Sequence, residues 1–230
     1  DGSFDRYGYP DVPAHVFINT SVIAKAPKEY FWAGIGDGIS KAPEVEHAVA
    51  AAVERGVELP HTAVLGAAIA ASSKDAFYKY GEQGIKDVEN GTVSKAIEEV
   101  ALDIVVSTGY ASNLVNQDDF YYNSCHAHAF YNATTAIKKE KEPLHGQVVS
   151  FGVMVLHAYF NELEELKKVA AFNKKLGLPV TLEEIGLKVS DAEKITELAM
   201  QTNEYKQTPF DKEKYIEAIK LADKMGSENA

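Results

Sequence analysis

The chain of 230 residues is 46% hydrophobic and carries a formal net charge of −11. That is enough apolar material for the core of one or two globular domains, and too much negative charge for a surface that follows a phosphate backbone, so nucleic acid is excluded as an expected partner. One cysteine, Cys125, rules out an internal disulfide and agrees with a reducing compartment. The opening Asp1-Gly2-Ser3-Phe4-Asp5-Arg6 has neither a basic start nor a signal-length apolar run. The longest apolar stretches, such as Val148 to Phe160, are too short to cross a bilayer, and the expectation is a soluble cytoplasmic protein with no membrane partner.

In chain order, the first segment reads as extended and turn-rich, with Pro10 and Pro13 bracketing a short linker. Residues 14–19 (Ala-His-Val-Phe-Ile-Asn) form a short run rich in β-formers, the one convincing strand in the sequence. A lone strand is not stable as a sheet, so Val16-Phe17-Ile18 needs partners from outside this chain. From about residue 28 the periodicity is helical. Ile97, Val100, Ala101, Ile104 and Val105 fall at helical spacing, as do Tyr215, Ile216, Ile219 and Ala222. Thr181-x-x-Glu184 and Ser190-x-x-Glu193 match the capping box and predict helix starts. Breaks are expected at Glu89-Asn90-Gly91, Lys141-Glu142-Pro143 and Leu176-Gly177-Leu178-Pro179, which leaves roughly eight or nine helices, and a frayed charged tail from Lys224 to Ala230.

Three segments carry candidate chemistry: Ala33-Gly34-Ile35-Gly36-Asp37-Gly38, Cys125-His126-Ala127-His128-Ala129-Phe130-Tyr131-Asn132, and His145-Gly146-Gln147-Val148-Val149-Ser150-Phe151-Gly152. They supply a carboxylate and several imidazoles near helix starts, the donor set that suits Zn²⁺ or Fe²⁺. Three protein ligands leave a position for water or substrate. His126 and His128 are two apart and face different ways on a helix, so one of them addresses a given metal. The ordinary alternatives are an Asp acting as a helix cap and histidines that are merely packed. Cys125 beside His126 lacks a third partner and reads as a buried structural thiol. Phe77-Tyr78-Lys79-Tyr80 and Phe120-Tyr121-Tyr122 read as core or interface rather than ligand-stacking residues. Residues 162–168 form a charged helical face expected to be solvated or paired.

In this order, Ala-Gly-Ile-Gly-Asp37, Ala-His128-Ala-Phe-Tyr-Asn132 and His145-Gly-Gln-Val-Val-Ser-Phe-Gly152 resemble the glycerol dehydrogenase branch of the iron-containing alcohol dehydrogenases. Ile23-Ala-Lys-Ala-Pro27 and Leu176-Gly-Leu-Pro-Val-Thr-Leu182 extend the resemblance, which spans most of residues 14 to 190. It implies Asp37, His128 and His145 as metal ligands, and Zn²⁺ or Fe²⁺ with NAD as cofactors. The reaction would be hydride transfer from a polyol or alcohol whose hydroxyl oxygen the metal holds. The implied fold is mainly α: a helical bundle like the C-terminal domain of dehydroquinate synthase-like proteins, with a short strand remnant of an α/β nucleotide-binding domain at its N-terminus. Residues 1–28 would be that remnant and linker, residues 29–230 the metal-binding domain, and the assembly a homo-oligomer.

The sequence departs from the family in places. Tyr131 stands where a second histidine is common, and is the candidate for a substrate-side hydrogen bond. Gly38 and Pro43 interrupt the helix after Asp37. No Gly-Gly-Gly-Ser/Thr pyrophosphate turn is found, and Gly34-x-Gly36-x-Gly38 has the wrong spacing for a dinucleotide fingerprint. The chain alone is therefore expected to be inactive, and its cofactor-binding residues are not assigned. Two alternatives stand beside this reading. One is a carbocycle synthase-like enzyme of the same fold, which would want basic residues such as Lys138, Lys139 and Lys141 near His145, although these read better as an exposed loop. The other is a non-catalytic helical assembly module.

Overall fold

The computed structural model describes residues 13–117 and 122–228. These residues are helical and contain no strand ladder. Residues 15–19 carry no regular secondary structure, and Phe17 is 93% exposed. The strand expected there does not form among the described residues, because no neighbouring edge supplies its backbone partners. This segment is held instead by the Tyr110 hydroxyl, which donates to the Pro13 carbonyl at 3.1 Å.

Helix α1 (Thr20–Ile23) is a single turn capped by Asn19. α2 (Lys28–Gly38) begins directly after Pro27, and α3 (Lys41–Glu54) carries Pro43 in its first turn, where the missing N–H has no intrahelical role. α4 (His61–Ser72) and α5 (Lys74–Glu89) follow with one residue between them. α6 (Lys95–Leu102) is capped by the Ser94 hydroxyl and runs through a π-helical turn, Asp103–Ser107, into α7 (Thr108–Val115). The π turn adds a residue and rotates the apolar stripe. Ile97 and Val100 are therefore fully buried while Val105 is 45% exposed.

α8 (His126–Thr135) and α9 (His145–Tyr159) are joined by a loop containing Lys138, Lys139 and Lys141. Lys138 and Lys141 are exposed, but the Lys139 side chain is buried and donates to the Thr134 carbonyl at 2.8 Å. α9 is apolar all round and buried along almost its whole length, so it forms the central post of the bundle. α2, α8, α10 (Leu163–Leu176) and α13 (Lys212–Glu228) pack around it. α11 (Ala192–Ala199) and α12 (Asn203–Gln207) close the side next to α8.

Thirteen α-helices among the described residues thus stand where the periodicity predicts eight or nine. One-turn elements such as α1, and single-residue breaks such as Ser73, leave too faint a pattern to count. The predicted breaks at Gly91 and Gly177 are real, and both glycines are left-handed. The capping boxes differ in detail. Glu184 accepts from Thr181 N at 3.0 Å as expected, but Gly186, also left-handed, stops the helix after one 3₁₀ turn. At the second box the capping carboxylate is Asp191, which accepts from Lys188 N at 2.8 Å, and α11 begins at Ala192. The tail is not frayed over the described residues. α13 continues to Glu228, because Gly226 lies so close to the Val180 carbonyl that the last turns are held against the body. In the charged face, Lys167 pairs with Glu164 and Lys168 with Glu165, while Glu162 is bridged by His47 and His157.

Candidate metal centre

Asp37 lies in the last turn of α2, His128 lies in the first turn of α8, and His145 is the first residue of α9. Glycines bring these three helices close enough for their side chains to meet. A Cβ on Gly146 would lie 1.8 Å from the Ala33 carbonyl oxygen, and one on Gly36 would lie 2.4 Å from that of Gly146. α2 and α9 therefore touch backbone to backbone beside Asp37 and His145. Gly152 permits the same approach to α8, with its missing Cβ 2.5 Å from the Ala127 carbonyl, next to His128. Gly36, Gly146 and Gly152 are thus packing devices that bring Asp37, His145 and His128 together.

The structure brings Asp37, His128 and His145 together, each with one donor atom within 4.8 Å of the others. Nε2 of His145 lies 3.0 Å from Asp37 Oδ1, and Nε2 of His128 lies 3.4 Å from the same oxygen. Two ligands of a tetrahedral zinc with bonds of about 2.0–2.1 Å stand about 3.3–3.4 Å apart, so these spacings suit a shared ion with little rearrangement. Asp37 and His145 are nearly half exposed and His128 is largely covered, so the group opens to solvent on one side. One carboxylate and two imidazoles with an open side form a donor set fitted to a first-row divalent metal with a free position.

Behind His128 stands Glu44, from the first turn of α3. Its side chain is fully buried. Oε1 accepts from the backbone N–H of Cys125 at 2.8 Å and of His128 at 2.9 Å, and Oε2 lies 2.5 Å from His128 Nδ1. Sequence reasoning passes over Glu44. The signal available was a carboxylate beside Val45 on the face that buries Ala48 and Ala52. Lys41, one turn earlier, is also buried and donates to the Asn123 side-chain oxygen at 2.7 Å.

The ionisable groups of the cluster stabilise one another's charges. Burial works to raise the pKa of Asp37, but hydrogen bonds from His128 and His145 outweigh it and keep the carboxyl well below the usual range. Burial disfavours the imidazolium of His128, yet the Glu44 and Asp37 carboxylates push its pKa up to about 10. Burial likewise opposes the Glu44 charge. His128 and the two backbone N–H groups more than compensate and lower its pKa.

His126 points away, as helical geometry requires. Its ring lies among Tyr159, Phe160, Phe210 and Tyr215, with centroids 4.6–5.9 Å distant, and neither ring nitrogen has a hydrogen-bond partner. Burial pulls its pKa down to about 3. Tyr131 sets its ring edge-on against His145 at 4.2 Å, on the flank of the group. Cys125 is fully buried, and burial raises its pKa well above the ordinary value, so it is no nucleophile. Phe77 fills the space left by Gly38, and Tyr78 packs edge-on against Phe172. Tyr122 is buried, while Phe120 and Tyr121 lie outside the described residues.

No protein-family model matches the chain. Among curated proteins it is 32% identical over 202 residues to glycerol dehydrogenase 1 of Schizosaccharomyces pombe, a match covering 84% of this chain and 42% of that protein. It is 31% identical to glycerol dehydrogenase of Citrobacter freundii, over 87% of this chain and 53% of that one. The chain spans about half the length of the curated relatives it matches. Among solved structures, glycerol dehydrogenase from Schizosaccharomyces pombe superposes with a TM-score of 0.77 at 26% identity, covering 93% of this chain and 55% of that chain. A probable glycerol dehydrogenase from Sinorhizobium meliloti 1021 shares the fold, with a TM-score of 0.78 at 22% identity, over 91% and 59% of the two chains. By sequence and by fold, this chain fits the glycerol dehydrogenase branch of the iron-containing alcohol dehydrogenases over about half of their length.

Proposed function

We propose that the chain is the metal-binding helical half of an NAD-dependent polyol or alcohol dehydrogenase, with Asp37, His128 and His145 as ligands of Zn²⁺ or Fe²⁺. The observation that carries this reading is the convergence of those three side chains, from three different helices, on one solvent-open point. A divalent metal held there supplies Lewis-acid stabilisation of a substrate hydroxyl as its proton leaves. Asp37 contributes the negative charge that favours a cation, and the two imidazoles contribute neutral donors. The open side at Asp37 and His145 admits a small polyol. Tyr131, whose ring lies edge-on to that of His145, would donate a hydrogen bond to the substrate and so orient it.

In this proposal NAD is held by a nucleotide-binding unit, of which residues 1–28 are a remnant together with the linker to the bundle. Residues 29–230 form the metal-binding domain, and the complete enzyme is a homo-oligomer. No helix among the described residues is long and apolar enough to cross a membrane. The test has two arms: zinc binding by the chain, and oxidation of glycerol with NAD by the chain with and without the nucleotide-binding unit. Zinc binding with turnover only when that unit is present is the expected result. Absence of zinc binding refutes the metal assignment, and full turnover by the 230 residues alone refutes the division of labour.

A further inference from the structure

We propose that Glu44 is a positioning residue that selects which nitrogen of His128 faces the metal centre, and that it does so while serving as the N-terminal cap of α8. The inference rests on the reading of Asp37, His128 and His145 as metal ligands. A neutral imidazole has one N–H and one lone pair, and the group at one nitrogen decides where the proton sits. At Nδ1 of His128 that group is the Glu44 carboxylate, 2.5 Å away. An ionised carboxylate only accepts, so Nδ1 keeps its proton and Nε2 is the nitrogen left to coordinate at the point shared with Asp37 Oδ1, 3.4 Å from it. A ligand histidine held at its second nitrogen by a carboxylate is oriented as well as made more basic.

The carboxylate is itself oriented by the helix it serves. α8 has no cap of its own, since Cys125 makes no side-chain hydrogen bond to the first turn. Glu44 reaches across from α3 and takes the N–H groups of Cys125 and His128 on one oxygen, leaving the other for the imidazole of the same His128. The positive end of the helix favours the negative charge, which makes a fully buried carboxylate tolerable. One side chain therefore fixes where α8 begins, how the His128 ring is turned, and which tautomer it adopts.

Glu44→Gln separates the cap from the tautomer. The glutamine oxygen still accepts from both N–H groups, but its NH₂ donates to Nδ1, which must then accept and leave the proton on Nε2, facing the metal. Zinc affinity of the full chain, measured against a chromophoric chelator, should fall by about 10- to 100-fold with helicity by circular dichroism unchanged. Glu44→Asp keeps an acceptor-only group and should bind zinc more tightly than the Gln variant. A readout that needs no variant is the ¹⁵N spectrum of the zinc-loaded wild-type chain, where His128 should carry its proton on Nδ1. Zinc affinity unchanged in Glu44→Gln, or a His128 protonated on Nε2 in the zinc-loaded wild type, overturns the inference alone. A wild-type chain that binds no zinc overturns both it and the metal reading beneath it.

Discussion

Replacing Gly146 with alanine tests whether close helix contact is what assembles the site. The added Cβ would stand 1.8 Å from the Ala33 carbonyl oxygen, 2.6 Å from its carbon and 3.0 Å from Asp37 N. These are backbone atoms, so no side chain can swing aside. Because real Cβ contacts are essentially never shorter than 3.0 Å, α2 and α9 must part by roughly 1.2 Å. Overpacking of this kind costs about 1–3 kcal/mol, a fall in Tm of about 2–12 °C for a chain of this size. The separation also falls between Asp37 and His145, whose donor atoms are 3.0 Å apart, so zinc affinity should drop at least about tenfold where ligand bonds are only about 2 Å long. The control is Gly109→Ala in α7, where nothing lies within 4 Å. It should gain about 0.5–1 kcal/mol from helix propensity and leave zinc binding alone. Thermal denaturation and zinc titration of both variants decide the matter. A Gly146→Ala chain with wild-type Tm and wild-type zinc affinity would refute the argument that backbone contact sets the ligand geometry.

His128→Ala should lower zinc affinity far more than His126→Ala. The latter should instead open a cavity among Tyr159, Phe160, Phe210 and Tyr215 and cost about 2–4 kcal/mol of stability, read by denaturant unfolding. Zinc at one hundred times its Kd should stabilise the chain by about 2.7 kcal/mol, seen as a Tm increase that a chelator reverses. Burial pushes the Asp103 pKa up to about 7, against about 3.9 in an unfolded chain. The folded state therefore holds the proton more tightly, and stability present below about pH 3.9 is lost as pH rises through 7. Asp103→Asn removes that loss, so its advantage over wild type should be about 1–3 kcal/mol greater at pH 8 than at pH 4 in paired melts. An advantage independent of pH would show that Asp103 is ionised at little cost.

How much of this was legible in the sequence depends on whether a feature is local. The identity of α9 as an apolar helix, the stops at Gly91 and Gly177, and the opposite facing of His126 and His128 follow from spacing along one element. The π turn at Asp103–Ser107 is different. It depends on where α6 and α7 pack, and the heptad-like stripe through Ile104 and Val105 gives no sign that the register shifts there. The first capping box was legible as a hydrogen bond and illegible as a helix. Glu184 finds the Thr181 amide whether or not a helix follows, and the outcome is set by Gly186. Residues 14–19 show the same limit from the other side, because β-propensity describes a strand that only a neighbouring edge could complete.

Glu44 marks the deeper limit and also explains the order in the site. Taken along α3 it is a carboxylate among apolar positions, which local rules would treat as a misplaced charge. It becomes intelligible only when α8 arrives with two unpaired N–H groups and an imidazole edge, all three from a helix 81 to 84 residues further along the chain. The buried side of the centre is thereby built of mutually satisfied groups: Glu44, the start of α8 and Nδ1 of His128. The solvent side, Asp37 and His145, is held by backbone contact at Gly36 and Gly146 rather than by a comparable set of hydrogen bonds. A site made this way is rigid where it orients a ligand and accessible where a substrate must enter. Its two supports are independent, one electrostatic and one steric. Glu44→Gln and Gly146→Ala should therefore weaken zinc binding through separate routes, and their effects on affinity should add in the double variant. A double variant no weaker than the worse single one would mean that the two supports act through a single shared displacement of α8 against α2.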